Sequence, residues 1–172
     1  MTTLPTVFIT GASSGIGATY AERFARRGHD LVLVARDDSR LDKLAGRLRA
    51  ECHVAIEVLP ADLTRPADLA ALETRLREDA RICILINNAG MAQAGSFLDQ
   101  SAEAIERLIT LNTTAPTRLA AAIAPRFAQP GTGAIVNIGS VVGLAPEFGM
   151  SVYGATKAFV LHLSQALNLQ LG

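Results

Sequence analysis

Short apolar runs alternate with longer amphipathic stretches along nearly the whole chain. The apolar runs predict strands at residues 4–10, 31–36, 54–59, 82–87 and 133–139. The stretches with helical spacing of apolar positions predict helices at residues 15–27, 39–50, 66–79, 101–127 and 151–171, and a turn is predicted at 130–133. Such strict alternation predicts parallel βαβ units with right-handed crossovers, and therefore an α/β fold with helices on both faces of the sheet.

The predicted strands differ in how apolar they are, and this difference predicts their places in the sheet. Residues 7–9 and 82–86 are apolar throughout, as expected of strands that are buried on both faces. The third strand places Glu57 between apolar neighbours, an alternation that favours an edge position. The pattern is typical of a doubly wound parallel sheet with the strand order 3-2-1-4-5.

Charge and composition narrow the classes of partner. The 16 basic and 16 acidic side chains cancel, so the net charge gives no reason to expect nucleic acid or an anionic membrane as a partner. No apolar stretch has the length of a membrane span, no signal peptide is evident, and the two cysteines lack metal-ligand spacing. These features predict a cytoplasmic single domain over residues 1–172 that acts on a small molecule and binds no metal.

The first predicted strand ends in a glycine-rich segment that leads directly into a helix. Glycines let the backbone turn sharply and approach a pyrophosphate, whose negative charge the helix N-terminus favours. The position between a buried strand and a helix favours dinucleotide binding over an ordinary tight turn. Gly17 is followed by Ala18 rather than by the lysine of a phosphate-loop NTPase, which argues against that class. The candidate cofactor contacts in this loop are Gly11, Ser13, Ser14, Gly15, Ile16 and Gly17.

The end of the second strand predicts which dinucleotide is bound. The dinucleotide fold places there, about 20 residues past the glycine loop, the residue that meets the adenosine ribose. An acid would hold the 2′-hydroxyl of NAD, whereas Arg36 offers a planar cation that suits the 2′-phosphate of NADP. Asp37 and Asp38 follow at once. The sequence therefore predicts NADP(H) as the preferred cofactor and leaves NAD(H) possible.

Tyr153 and Lys157 are four residues apart on a predicted helix, and so lie on the same face. A phenol can act as an acid or a base near neutrality if a nearby cation stabilises its phenolate, which a lysine at about 4 Å would do. Ser140 follows the fifth strand, at the sheet edge where open α/β folds place their sites, and its hydroxyl could donate to a substrate oxygen. Pro116 lacks an N–H, so the carbonyl of Asn112 loses its helical partner and could hold an ordered water.

Together these residues resemble the short-chain dehydrogenase/reductase family and its Rossmann fold. The matches follow the family's order and spacing over nearly the whole chain, at residues 10–17, Asp62, residues 87–90, Asn112, Ser140, Tyr153 and Lys157. An arginine at the position of Arg36 resembles the NADP-preferring branch.

The resemblance implies a role for each matched residue. Tyr153 is expected to give or take the proton, and Ser140 to orient the substrate oxygen. Lys157 is expected to bind the nicotinamide ribose and to assist Tyr153, while Asn112 anchors a water relay. The resemblance also implies further cofactor contacts: Asp62 and Leu63 at the adenine, Asn88, Ala89 and Gly90 along the adenosine side, and Tyr153 and Lys157 themselves.

The resemblance also implies what lies outside this sequence. Chains of the family typically continue past the position of Gly172, so a C-terminal segment that contributes to substrate choice is expected to be missing. The family pairs subunits through the helices at 101–127 and 151–171, which implies a homodimer or a homotetramer. The expected activity is hydride transfer between NADP(H) and a carbonyl or alcohol substrate, and residues 91–97 are expected to line one pocket wall. The alternative is a non-catalytic NADP-binding or interaction module.

Overall fold

The structure of the protein, a computed structural model, describes residues 4–93, 96–128 and 133–171. Most of the turn predicted at 130–133 and two residues of the predicted pocket wall at 91–97 lie outside these residues. The strands are β1 (Thr6–Thr10), β2 (Leu31–Ala35), β3 (Ile56–Pro60), β4 (Ile82–Asn87) and β5 (Ala134–Asn137). The α-helices are α1 (Gly15–Ala25), α2 (Asp38–Cys52), α3 (Pro66–Glu78), α4 (Ala102–Ile109), α5 (Ala115–Phe127) and α6 (Ser151–Leu171).

The sheet is parallel and has the order β3-β2-β1-β4-β5, which confirms the predicted doubly wound topology. The central strand β1 is buried along its whole length, whereas β3 lies at an edge. Successive side chains of β1 point to opposite faces. Val7 and Ile9 pack with α1 and α2, while Phe8 packs with α3 and α5. Helices therefore cover both faces of the sheet, as predicted.

The helix predicted over 101–127 is interrupted. Between α4 and α5 the chain forms a π-helical turn, Thr110–Thr114, in which the Ala115 N–H bonds to the carbonyl of Thr110. Pro116 has no N–H to offer to the carbonyl four residues before it, so the regular α-helical ladder cannot continue through this point. The other predicted bounds agree with the observed ones to within two residues, and those of β4 and α6 match.

Short 3-10 turns lie in the connections that follow β4 and β5. A 3-10 turn at Phe97–Asp99 precedes α4, and two more at Val141–Leu144 and Pro146–Phe148 follow β5. Within the described residues, no helix combines the length and the hydropathy that crossing a bilayer requires.

Candidate functional site

The glycine-rich loop after β1 folds into a tight, closely packed turn. Gly11 has φ +65°, a conformation that favours glycine. A Cβ on Gly11 would lie 2.7 Å from Nδ2 of Asn88, and a Cβ on Gly17 would collide with the carbonyl oxygen of Gly11. Both glycines are therefore needed for the backbone to come this close to itself.

Thr10 and Asn88 fasten this loop to the end of β4. The Thr10 hydroxyl accepts hydrogen bonds from the backbone N–H groups of Asn88 and Ala89, both at 3.0 Å. Nδ2 of Asn88 donates in return to the carbonyls of Thr10 and Gly11, each at 3.0 Å. The Asn88 amide thus shapes the loop, and the loop is fixed before any ligand binds.

Helix α1 begins at this loop without a side-chain cap. Its N-cap residue, Ser14, is extended and its hydroxyl makes no capping hydrogen bond. The first N–H groups of a helix have no partner inside the helix, and the helix dipole adds partial positive charge at that end. The N-terminus of α1 is therefore suited to hold an anion such as a pyrophosphate.

A cavity of about 660 Å³ runs from this loop across the carboxyl ends of the strands. It is lined by ten of the predicted cofactor contacts: Gly11, Ser13, Ser14, Ile16, Arg36, Asp62, Leu63, Asn88, Ala89 and Gly90. The other four predicted contacts, Gly15, Gly17, Tyr153 and Lys157, do not line it. Gly17 is buried beneath the loop, and Gly15 faces open space. Arg40, Arg107 and Leu111 line it as well, although the sequence did not single them out.

Arginines surround one end of the cavity. Arg36 is exposed at the end of β2 and forms no ion pair with another described residue. Asp37, in contrast, caps α2 by accepting the N–H of Arg40 at 3.0 Å, and it pairs with the Arg40 guanidinium at 3.2 Å. Because this carboxylate is already engaged with Arg40, it does not pair with the guanidinium of Arg36.

Asp62 faces this end from the loop after β3. Its Oδ1 accepts two hydrogen bonds from Thr64, at 2.9 Å from the N–H and 2.7 Å from the hydroxyl. Its Oδ2 lies 3.6 Å from the guanidinium of Arg107 on α4. Burial favours the neutral acid, but the hydrogen bonds from Thr64 and the charges of Arg107 and Arg36 outweigh it and lower the pKa of Asp62 below its ordinary value.

The other end of the site is buried and contains Lys157. Its Nζ donates to the carbonyl of Ile138 at 2.7 Å and lies 5.8 Å from the centroid of the Tyr153 ring. Burial lowers the pKa of the Lys157 ammonium below its ordinary value. A Cβ on Gly90 would lie 3.7 Å from this Nζ, so the lysine stands at the point where the cavity meets the predicted catalytic residues.

Ser140 is brought to the same place by close packing against α6. It caps the 3-10 turn Val141–Leu144, and its Oγ accepts the N–H of Val142 at 3.3 Å. Within that turn Gly143 lies against the backbone of α6, since a Cβ there would be 2.7 Å from the carbonyl carbon of Lys157. No described residue accepts the Ser140 O–H, so this donor is available to a substrate oxygen.

Asn112 lies in the π-helical turn and is 2% exposed. Its side-chain Oδ1 accepts the N–H of Met91 at 2.9 Å, and its Nδ2 donates to the Met91 carbonyl at 2.8 Å and to Oγ1 of Thr156 at 3.1 Å. The sequence directed attention only to the main-chain carbonyl of Asn112. Its amide side chain in fact joins the end of β4 to α6.

Sequence reasoning missed three residues that structure this site: Thr10, Thr156 and Arg107. Thr10 and Thr156 are almost fully buried, at 1% and 3% exposure. Their signal was present but weak, because Thr10 begins the glycine segment and Thr156 directly precedes Lys157. Arg107 left no signal, since one exposed arginine on an amphipathic helix resembles any other.

Comparisons with known proteins agree with this geometry. The model of the short chain dehydrogenase family matches residues 5–172. Sulfoacetaldehyde reductase of Chromohalobacter salexigens is 40% identical over 174 residues, which cover 96% of this chain and 66% of that protein.

Two solved structures superpose closely on the chain. A short-chain dehydrogenase from Sphingobium yanoikuyae in complex with NADPH has a TM-score of 0.96 at 83% identity, covering 98% of this chain and 66% of that one. The bulky-bulky ketone specific alcohol dehydrogenase from Comamonas testosteroni has a TM-score of 0.97 at 72% identity, covering 99% and 69%. The chain spans about two thirds of these proteins, and about half of other curated relatives. The fold, the arrangement of the site and these matches together lead to one conclusion: the chain belongs to the short-chain dehydrogenase family.

Proposed function

We propose that the protein is an NADP(H)-dependent oxidoreductase that transfers hydride between the nicotinamide and a carbonyl or alcohol substrate. The observation that carries this proposal is the position of Lys157. Its amine is buried beside the Tyr153 ring and stands where the dinucleotide-sized cavity ends. A buried amine at this place is suited to stabilise a phenolate on Tyr153 and to bind a cofactor ribose.

The residues present fit NADP(H). The uncapped N-terminus of α1 suits the pyrophosphate, and the exposed guanidinium of Arg36 suits a 2′-phosphate. Asp62, kept ionised by its neighbours, is an acceptor for an adenine amino group. The complex of the 83%-identical Sphingobium protein with NADPH supports the same cofactor here.

In the reductive direction, bound NADPH supplies the hydride. The chain supplies the proton: the Tyr153 hydroxyl donates it to the carbonyl oxygen, while the Ser140 O–H donates a hydrogen bond to the same oxygen as negative charge develops on it. Lys157 stabilises the phenolate that results. Asn112 and Met91 hold the end of β4 against the π-helical turn, so that Gly90 stays beside Lys157.

We infer that the substrates are ketones with bulky apolar substituents. The 72%-identical Comamonas enzyme is a bulky-bulky ketone specific alcohol dehydrogenase. The segment after Ser140 exposes large apolar side chains that could contact such groups: Val141 is 64% exposed, Leu144 69% and Phe148 58%. Oligomerisation through helices 101–127 and 151–171 and a cytoplasmic location stay predictions.

A fluorescence titration with NADPH, with NADH in parallel, tests the cofactor. We expect saturable binding that favours NADPH. A diaryl ketone is then compared with sulfoacetaldehyde, with NADPH oxidation followed at a fixed cofactor concentration. Faster reduction of the diaryl ketone is the expected result.

Each other outcome has a distinct meaning. Tighter binding of NADH would refute the role given to Arg36. Faster reduction of sulfoacetaldehyde would refute the substrate class but leave the hydride transfer. Binding of NADPH without reduction of any carbonyl compound, or oxidation of any alcohol, would replace the oxidoreductase with a non-catalytic NADP-binding module.

A further inference from the structure

Thr156 occupies an unusual position within the Tyr153–Lys157 interval. Its side chain is 3% exposed, and its hydroxyl makes two hydrogen bonds of different kinds. The hydroxyl donates to the carbonyl of Tyr153 at 2.7 Å and accepts Nδ2 of Asn112 at 3.1 Å. Thr156 therefore connects the π-helical turn to the first turns of α6.

The direction of these hydrogen bonds is determined by Met91. Asn112 faces both the N–H and the carbonyl of Met91, at 2.9 Å and 2.8 Å. If the amide were flipped, an N–H would face an N–H and an oxygen would face an oxygen, so only one orientation satisfies both groups. The second N–H of Nδ2 must then point to Thr156, whose own proton goes to the carbonyl of Tyr153.

The hydrogen bond between Asn112 and Thr156 lies in a part of the helix whose regular backbone hydrogen bonding is interrupted. Pro116 offers no N–H to the carbonyl of Asn112, so this part of the helix lacks one of its regular hydrogen bonds. A π turn is rare inside an α-helix and is frequently found at functional sites. The amide of Asn112 is the only side chain among the described residues of this turn that bonds to both the end of β4 and α6.

The position of Lys157 depends on the same hydrogen bond, because Lys157 directly follows Thr156. Oδ1 of Asn112 and Nζ of Lys157 would lie 3.3 Å and 3.7 Å from a Cβ on Gly90, so both polar groups converge on one point. A shift of α6 relative to the π turn would move the amine and the amide apart. It would also move Tyr153, whose carbonyl receives the Thr156 proton.

We propose that Thr156 is a positioning residue of this site: its hydroxyl sets the distance between Asn112 and the Tyr153–Lys157 turn, and thereby the rate of the proton-transfer step. This inference rests on the proposed oxidoreductase function. Thr156 is buried and does not line the cavity, so it acts through Asn112 and Tyr153 and contributes little to cofactor affinity.

Two variants separate the hydroxyl from the shape of the side chain. Thr156→Val keeps the volume and the β-branch but leaves Nδ2 of Asn112 and the carbonyl of Tyr153 each with one partner fewer. Thr156→Ser keeps the hydroxyl and loses only a methyl group. We expect kcat for ketone reduction to fall about tenfold in Thr156→Val and less than about threefold in Thr156→Ser.

Two measurements distinguish a positioning role from a purely structural one: the NADPH dissociation constant and the pH profile of kcat. The NADPH dissociation constant, from fluorescence titration, should stay within about twofold in both variants. The pH profile of kcat should change in Thr156→Val and return to that of the wild type in Thr156→Ser. Circular dichroism and thermal unfolding, measured on the same samples, show whether each variant is folded.

Three results would overturn the inference. The first is wild-type kcat and an unchanged pH profile in Thr156→Val. The second is an equal loss in the Val and Ser variants, which would assign the effect to packing of the methyl group. The third is a folded Thr156→Val whose only defect is weaker NADPH binding. A wild-type protein that binds NADPH but reduces no carbonyl compound and oxidises no alcohol would instead refute the proposed function, and this inference with it.

Discussion

The two ends of the site are built in different ways. At the Arg36 end the charged side chains are partly in solvent: Arg107 is 49% exposed and Asp62 23%. At the Lys157 end the polar side chains of Asn112, Thr156 and Lys157 are 2% to 7% exposed and hydrogen-bonded to the protein. Charges in solvent attract a ligand and are screened by salt, whereas buried hydrogen bonds fix geometry. We therefore expect the first end to govern cofactor affinity and the second to govern turnover.

The largest effect is expected from Tyr153→Phe at the buried end. Loss of the hydroxyl removes the proposed proton donor, and we expect kcat to fall by about 10³-fold. The NADPH dissociation constant should change by less than about twofold, because the aromatic ring stays in place. Steady-state reduction of a ketone, together with fluorescence titration, measures both quantities. Tyr20→Phe, on α1, is the matched control, and equal turnover in Tyr153→Phe and in the wild type would contradict the assignment.

Arg36→Ser tests the exposed end. Loss of a charge-assisted contact to a phosphate should weaken NADPH binding by about 10- to 100-fold and leave NADH binding nearly unchanged. The difference between variant and wild type should shrink as salt is raised, because the exposed charge is screened. Arg118→Ser serves as a control, since Arg118 pairs with Glu73 outside the cavity. An equal loss for both cofactors would show that Arg36 does not read the 2′-phosphate.

Arg107→Met sharpens the comparison within the exposed end. The guanidinium of Arg107 lies 3.6 Å from the Asp62 carboxylate rather than beside Arg36, so it should strengthen binding of the adenine half in both cofactors. We expect NADPH and NADH to bind about two- to fivefold more weakly, as for the loss of a partly exposed ion pair. Arg77→Met, on α3, gives the background value. A loss confined to NADPH would instead assign Arg107 to the 2′-phosphate.

The smallest effect concerns stability in acid. The pKa of Asp62 is lowered on folding, so its carboxylate stabilises the folded state above pH 3.8, and this contribution is lost as the pH falls below that value. Asp62→Asn should therefore be less stable than the wild type at pH 7, by less than about 1 kcal/mol, with a gap that narrows below pH 3.8. Urea unfolding at several pH values measures the gap. Asp42→Asn, an exposed site on α2, is the control, and a gap that is constant with pH would contradict the prediction.

Much of this molecule was predictable from the sequence. Alternating apolar strands and amphipathic helices predicted the sheet order, because a parallel strand buried on both faces needs an apolar run. The ends of these strands then predicted the residues that line the cavity, since the carboxyl ends of parallel strands share one edge. Arg36 was found in this way, Asp62 was implied by the family resemblance, and both line the cavity.

The remaining features depend on contacts between residues far apart in the chain. The π-helical turn requires Pro116, which the sequence revealed, but also the bonds of Asn112 to Met91 and Thr156, which lie 21 and 44 residues away. Arg107 became part of the cavity only when α4 packed beside the loop that carries Asp62. A periodic pattern records which face of a helix is buried and cannot record which hydrogen bonds its polar residues make.

The sequence by itself determined the α/β class, the strand order and the residue types of the predicted site, because local hydrophobic periodicity and glycine chemistry act over short distances. Tertiary structure alone decided how these residues work together. It engaged Asp37 at a helix cap, left Arg36 without an ion pair among the described residues, and buried the amine of Lys157. It also gave the Thr156 hydroxyl its two partners. The physical reason is that burial and neighbouring groups set the pKa and the hydrogen bonding of a polar side chain. Tertiary packing determines both.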